Sequence, residues 1–198
     1  VVHGRATGTA DPYCWLDVNN RRAFQRATEF LLDLGHTRIA LVNGLEFMDF
    51  AIRRRTGYLD ALAARGITLD PQLMFSDEMT EISGYRATQT MLALPQPPTA
   101  ILCSSMISGM GARRAVESAG LTVGREVSII IHDDDLSYMK NGEDVPIFTA
   151  TRSSVREAGR LTAEMLLGLI AHPEDTPQQR LLEAELIIGQ STGPVLKA

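Results

Sequence analysis

No uncharged run in the chain approaches the roughly 18 to 20 residues that a membrane span requires, so no spanning helix is expected. Positive charge is also short. The 198 residues carry 19 Lys and Arg against 24 Asp and Glu, a net charge of −5. A mildly acidic chain does not coat itself on a phosphate backbone, so this segment alone is a poor binder of nucleic acid or of an anionic membrane. Cysteine is nearly absent. Cys14 and Cys103 have no neighbours at metal-ligand spacing, and Cys103 lies in an apolar run. That usage fits a reduced, cytoplasmic setting without a metal. No Gly-x-Ser-x-Gly elbow and no phosphate loop occurs, and His3, His36, His132 and His172 each have a local reading as turn, cap or surface residue. The residues give no positive evidence for an enzyme or a cofactor.

What remains is an ordinary globular chain, 44% hydrophobic, long enough for one large domain or two small lobes. Val1–Gly4 reads as the tail of a strand, so the chain is expected to begin in the middle of a longer protein. Asn20–Leu34 places Ala23, Phe24, Ala27, Phe30, Leu31 and Leu34 on one helical face, with Asn19 or Asn20 as N-cap and Gly35 as terminator. Ile39–Val42 then predicts a strand buried on both faces. The alternation repeats: a helix over 50–65, a weak strand over 73–75, a helix from about Ile82 to the prolines at 95–98, a strand over 100–103, a helix to about Ala119, and a strand over 127–131. Such alternation implies a parallel sheet with helices on both faces. After the polar stretch 132–144 the spacing predicts a strand over 147–151, a long helix over 153–170 and a final strand over 181–188. The architecture is α/β, with more than one sheet.

Three motifs invite chemistry. Asp133-Asp134-Asp135 follows a strand, at the carboxyl end where open parallel sheets bind ligands. It can hold a divalent metal with help from elsewhere, accept hydroxyl hydrogen bonds, or cap a helix. Arg53-Arg54-Arg55 fans out by about 100° per residue around a helix, so one or two at most can face a cleft. A buried arginine there would grip vicinal hydroxyls or a carboxylate with two bonds at once. Gly109-Met110-Gly111 lacks the third glycine of a dinucleotide fingerprint, because Arg114 stands in its place. Close packing of a helix explains the pair better.

The chain resembles the effector-binding region of LacI/GalR-family (lactose-repressor-like) transcription regulators. The likeness is carried in order by Val18-Asn19-Asn20, Leu32–Leu41, Arg54–Tyr58, Ser83-Gly84-Tyr85, Pro98–Cys103, Val127–Asp134, Phe148–Thr151 and Ser191-Thr192. It departs from the family at Ser105-Met106, usually Asn-Asp, at Asn19-Asn20, usually Asp-Asn, and at Gly189, usually Arg. The resemblance implies two Rossmann-like lobes with parallel sheets, joined by three crossovers, of the periplasmic binding protein-like type I. The first lobe, residues 1–35 plus 152–178, would be incomplete, and the second would span 36–151 plus 179–198. A helix-turn-helix DNA-binding head would precede Val1.

By position, the resemblance makes Arg54 the arginine that grips effector hydroxyls or a carboxylate, and Asp133 the carboxylate that accepts sugar hydroxyls. Phe50 presents a ring face, and Met79 takes a position where an aromatic often stacks. Asn19 and Arg152 approach from the first lobe, and Ser105 and His132 complete the expected set. On this reading Arg54→Ala would fold and lose the effector. The implied function is the effector-binding and dimerisation domain of a cytoplasmic regulator. It would form homodimers, bind a small sugar, and reach operator DNA through the absent head. Similar His-Gly-Arg and His-Asp-Asp-Asp segments point to an α-glucoside. Two alternatives stay open: a periplasmic sugar-binding protein of a transporter, and a metal-using α/β enzyme built on Asp133–Asp135.

Overall fold

The computed structural model describes residues 1–5 and 12–196. In chain order the elements are β1 (Val2–His3), β2 (Trp15–Val18), α1 (Asn20–Asp33), β3 (Ile39–Asn43), α2 (Asp49–Ala64), β4 (Met74–Ser76), α3 (Glu81–Leu92), β5 (Ala100–Cys103), α4 (Met106–Ser118), β6 (Ser128–Asp133), β7 (Thr149–Arg152), α5 (Val155–Ala171), β8 (Gln179–Leu182) and β9 (Glu185–Ile187). They form two sheets. One is a parallel sheet ordered β1-β2-β8, against which α5 packs Ala158 and Met165. The other is ordered β4-β3-β5-β6-β7-β9, parallel except for β9. The chain passes between the two sheets three times, at Asn19, at Ser153-Ser154 and at Glu183-Ala184.

The larger sheet is buried on both faces, as its unbroken apolar strands require. One face carries Leu41, Leu102 and Ile130 against α1 and α2, with Phe24, Leu31 and Tyr58 fully enclosed. The other carries Val42, Ile101, Ile129 and Ile131 against α3 and α4. Asn19 caps α1, its side-chain oxygen accepting from the Arg22 amide at 3.2 Å.

Three expectations are corrected. Helix α1 belongs to the larger sheet, not to the first lobe, because its apolar stripe is buried against β3, β5 and β6; the second lobe therefore begins near Asn19 rather than at 36. The stretch expected as one final strand is two, with β8 paired to β2 and β9 paired to β7. Residues 179–182 thus join the first lobe. Finally, β6 extends through Asp133, so His132 and Asp133 are strand residues rather than loop.

Glycine brings the helices unusually close. A Cβ built on Gly57 of α2 would stand 2.0 Å from the Arg21 carbonyl oxygen of α1. Gly109 lies against Ile131 of the sheet, and Gly111 lies over the Glu81 carbonyl of α3, which accounts for the glycine pair by packing. Gly57→Ala is expected to destabilise by about 1–3 kcal/mol despite alanine's better helix propensity. Gly168→Ala, in α5 with nothing within 4 Å, should stabilise by roughly 0.5–1 kcal/mol. Urea unfolding of both variants measures the contrast.

His36 ties down the C-terminal segment. Its ring nitrogens lie 2.9 Å from the Thr99 hydroxyl and 3.0 Å from the Gly193 carbonyl. Burial lowers its pKa, with the Gly193 hydrogen bond opposing. The unfolded chain therefore binds a proton that the folded chain resists. This contribution to stability is complete above about pH 6.5 and is lost as pH falls, by at most about 1.4 kcal/mol per pH unit. His36→Gln should flatten the pH dependence of the melting temperature between pH 7 and 5.

Candidate effector-binding site

The carboxyl ends of β1, β2, β5 and β6 converge on a cavity of about 270 Å³ between the two sheets. That is close to the lower end of the roughly 300–1,000 Å³ typical of small-molecule clefts. From the smaller sheet it takes His3, Gly4, Asp17 and Val18; from the larger sheet's side it takes Asn20, Phe50, Arg54, Met79, Ser104, His132 and Asp134.

Arg54 is its centre. The residue is only 6% exposed, one turn into α2. Its Nε donates to Asn20 Oδ1 at 2.7 Å, and Nη1 donates to the Ser104 carbonyl at 2.6 Å. The guanidinium sits 5.1 Å from the ring centre of Phe24 and 4.9 Å from that of Phe50, a cation–π contact on each. Burial pushes its pKa down to about 10, while the charges of Asp134 and Asp17 oppose the fall. It stays cationic at neutral pH. Asn20, in turn, is fixed by donating to the Val18 carbonyl at 3.1 Å.

The acidic triplet does not converge. Strand alternation puts Ile130, His132 and Asp134 on one side and Ile131 and Asp133 on the other. Asp133 is buried; it accepts from the Asp135 amide at 2.9 Å and lies 3.4 Å from Arg152 Nε. Asp134, half-exposed, lines the cavity with one oxygen 3.3 Å from His132 Nε2. Asp135 adopts a left-handed φ of 52° and lies 3.6 Å from Lys140 Nζ. Each carboxylate thus has its own cationic or imidazole neighbour, and among the described residues no group of three His, Cys, Asp or Glu is placed to hold a metal ion.

Of the eight residues singled out from the sequence, Arg54, Phe50, Met79 and His132 line the cavity. Asp133 does not, because strand β6 runs one pleat further than expected and turns its side chain away. Ser105 caps α4 by accepting from the Ser108 amide at 3.2 Å, and its neighbour Ser104 lines the cavity instead. Asn19 is occupied by its cap and by Glu183, to which it donates at 2.7 Å. Arg152 faces Asp133. Asp17 was missed, although its acceptance from Arg5 at 2.9 Å holds it at the cavity wall; no local pattern marks it.

Residues 28–192 match the family model of the periplasmic binding protein-like domain. The chain belongs to that family. It is 48% identical to the HTH-type transcriptional regulator AglR of Rhizobium meliloti (strain 1021), over 98% of this chain and 54% of that protein. It is 35% identical to the HTH-type transcriptional repressor CytR of Escherichia coli (strain K12), over 88% of this chain and 50% of that protein. Among solved structures, the transcriptional regulator CelR–cellobiose complex superposes with a TM-score of 0.86 at 27% identity, covering 96% of this chain and 57% of that one. The chain therefore spans about half the length of the curated relatives it matches, and it corresponds to the effector-binding domain of LacI-type regulators. Those relatives are transcriptional regulators rather than enzymes.

The geometry corrects one expectation about Arg54. Removing its side chain strips a charged donor from Asn20 and from the Ser104 carbonyl, and unstacks two rings. Arg54→Ala should therefore cost about 2–4 kcal/mol of stability, since each buried group left unsatisfied costs about 1–3 kcal/mol. A chemical-denaturation midpoint unchanged from wild type would contradict this.

Proposed function

We propose that this domain senses a small neutral sugar for a DNA-binding transcription regulator, with the sugar held in the Arg54–Asp134 cleft. One observation carries the reading: a cavity between two lobes whose charges are balanced and whose walls are chemically unlike. Arg54 and Asp134 offset one another, and Asp17 is paired with Arg5, so a neutral guest suits the site better than an ion. Phe50, Met79 and Val18 supply apolar surface for the flat face of a sugar ring. Asp134, Asn20, Arg54 and Ser104 supply the acceptors and donors that hydroxyls need. CelR binds cellobiose in the solved complex, which supports a saccharide class, and α-linked glucosides are the first candidates here.

The three crossovers let the lobes close on the guest. A sugar that touches both lobes binds the closed arrangement better than the open one, and shifts their populations by that difference. In the whole protein the same difference would change operator affinity reciprocally. The DNA-reading head lies outside this chain, and the functional unit is a cytoplasmic homodimer, matched to paired half-sites. An exposed apolar face supports self-association: Met110 and Ile147 line a second hollow of about 540 Å³ between α4 and the 139–148 segment. Although that hollow is larger than the cleft, its buried Asn141 amide is spent on the Phe148 backbone, and the hollow suits a protein partner better than a sugar.

A thermal-shift screen of monosaccharides and α- and β-linked disaccharides, followed by calorimetry, tests the assignment. At least one sugar should bind. Asp134→Asn should weaken it tenfold or more, a loss of about 1.4 kcal/mol or above. Asp133→Asn, whose carboxylate does not line the cleft, should weaken it less. Equal losses in the two variants, or no response to any sugar, would contradict the reading.

A further inference from the structure

His132 is fully buried, yet it touches three functionally different parts of the molecule. Its Nδ1 lies 2.9 Å from the Thr151 hydroxyl on β7. Its Nε2 lies 3.3 Å from the Asp134 carboxylate at the cleft and 3.3 Å from the Ser153 hydroxyl, where the chain crosses between the lobes. The crossing is bonded to the same strand end by its backbone: the Ser153 amide donates to the Asp133 carbonyl at 3.0 Å, and the Val155 amide to the Asp134 carbonyl at 3.1 Å.

The chemistry of the partners fixes the tautomer. A carboxylate only accepts, so the neutral ring must carry its hydrogen on Nε2, and Nδ1 accepts from Thr151. One N–H then faces two acceptors, both at 3.3 Å, longer than a well-formed hydrogen bond. It is divided between the cleft and the crossover.

We propose that His132 is a positioning residue that couples occupancy of the cleft to the crossover at Ser153, and that effector affinity is consequently linked to its protonation. The inference rests on the sugar-binding reading and goes beyond it. When effector hydroxyls satisfy Asp134, the Nε2 hydrogen turns to Ser153, and the crossover is held in the geometry of the closed lobes. When His132 takes a proton, its full charge holds the Asp134 carboxylate back from the effector, and the Thr151 hydroxyl must reverse to accept from Nδ1.

The surroundings set the range. Arg54 from α2 faces the ring, Asp133 and Asp134 lie on its own strand end, and Arg152 on β7 is turned to Asp133. The uncharged ring of Phe24 on α1 lies 6.3 Å away. Across the cleft, His3 acts on Asp134 and Asp17 acts on Arg54. Burial first, and then Arg54, lower the His132 pKa, against the two carboxylates. Asp134 is also lowered: burial pushes it up, but the His132 hydrogen bond and the charges of His132 and Arg54 outweigh that. The same contact that favours the charged carboxylate therefore favours the charged imidazole, so the two groups titrate as a linked pair. A neutral effector that needs unprotonated His132 loses affinity below the His132 pKa, approaching tenfold per pH unit.

The test is calorimetry from pH 8 to 5 with the tightest-binding sugar of the screen, on wild type and His132→Gln, whose amide donates but does not titrate. Wild-type affinity should hold down to the ordinary histidine value of about 6.5 and fall only below it, because burial and Arg54 lower the His132 pKa. His132→Gln should bind several-fold more weakly at pH 7.5 and lack the slope. A flat wild-type profile, or the same slope in His132→Gln, overturns the proposal. Imidazole nitrogen NMR of the sugar-free protein separates this from failure of the sugar reading. If no sugar binds, that reading fails, while the coupling still requires Asp134→Asn to lower the His132 titration and Ser153→Ala to move its Nε2 resonance. A His132 signal unmoved in both variants overturns the coupling by itself.

Discussion

A single buried cation organises this domain. The Arg54 guanidinium, sealed between two aromatic rings, is stable in a low-dielectric setting only because Asn20 and the Ser104 carbonyl take its hydrogens and two carboxylates face it. Those groups come from α1, from α2, from the ends of β5 and β6, and, for Asp17, from β2 of the smaller sheet. The arginine thus pins the carboxyl ends of the larger sheet to the helix that leaves the first crossover. Fold and site share the same contacts, so the binding surface is rigid on the side of the larger lobe.

The smaller lobe is joined differently. Its links to the larger one run through three short crossings, held by polar contacts to one another and to the larger lobe. Asn19 donates to Glu183, Arg26 donates to the Ala184 carbonyl at 3.2 Å, and His132 stands beside Ser153. Polar links of this kind can exchange partners at little cost, whereas a packed apolar seam resists small displacements. A rigid jaw with its cation already in place, and a second jaw hung on exchangeable hydrogen bonds, suits ligand-driven closure.

Much of this was legible in the sequence because burial leaves a periodic trace. The unbroken apolar run Ile39–Val42 and the stripe from Ala23 to Leu31 gave the sheet and its helix directly. The family likeness then supplied the two-lobed arrangement and the arginine. What escaped was set by register and by partners distant in the chain. Nothing local shows that β6 runs through Asp133, yet that one step decides that Asp134 faces the cleft. Likewise 181–188 reads as one strand because alternation is blind to which sheet each half joins. Asn20 was legible only as a cap, since its bond to Arg54 spans 34 positions. His132 was singled out, but its contact with the crossover depends on Ser153 folding back beside it.

Where the guest lies is the most direct test of the Arg54 cleft. A crystal structure with the bound sugar should show the ring between Met79 and Phe50 on one side and Asp134 on the other. Its hydroxyls should lie within about 3 Å of the Arg54 guanidinium and the Asp134 carboxylate. Density for the sugar in the outer hollow along α4, with the Arg54 cleft holding only solvent, would contradict it.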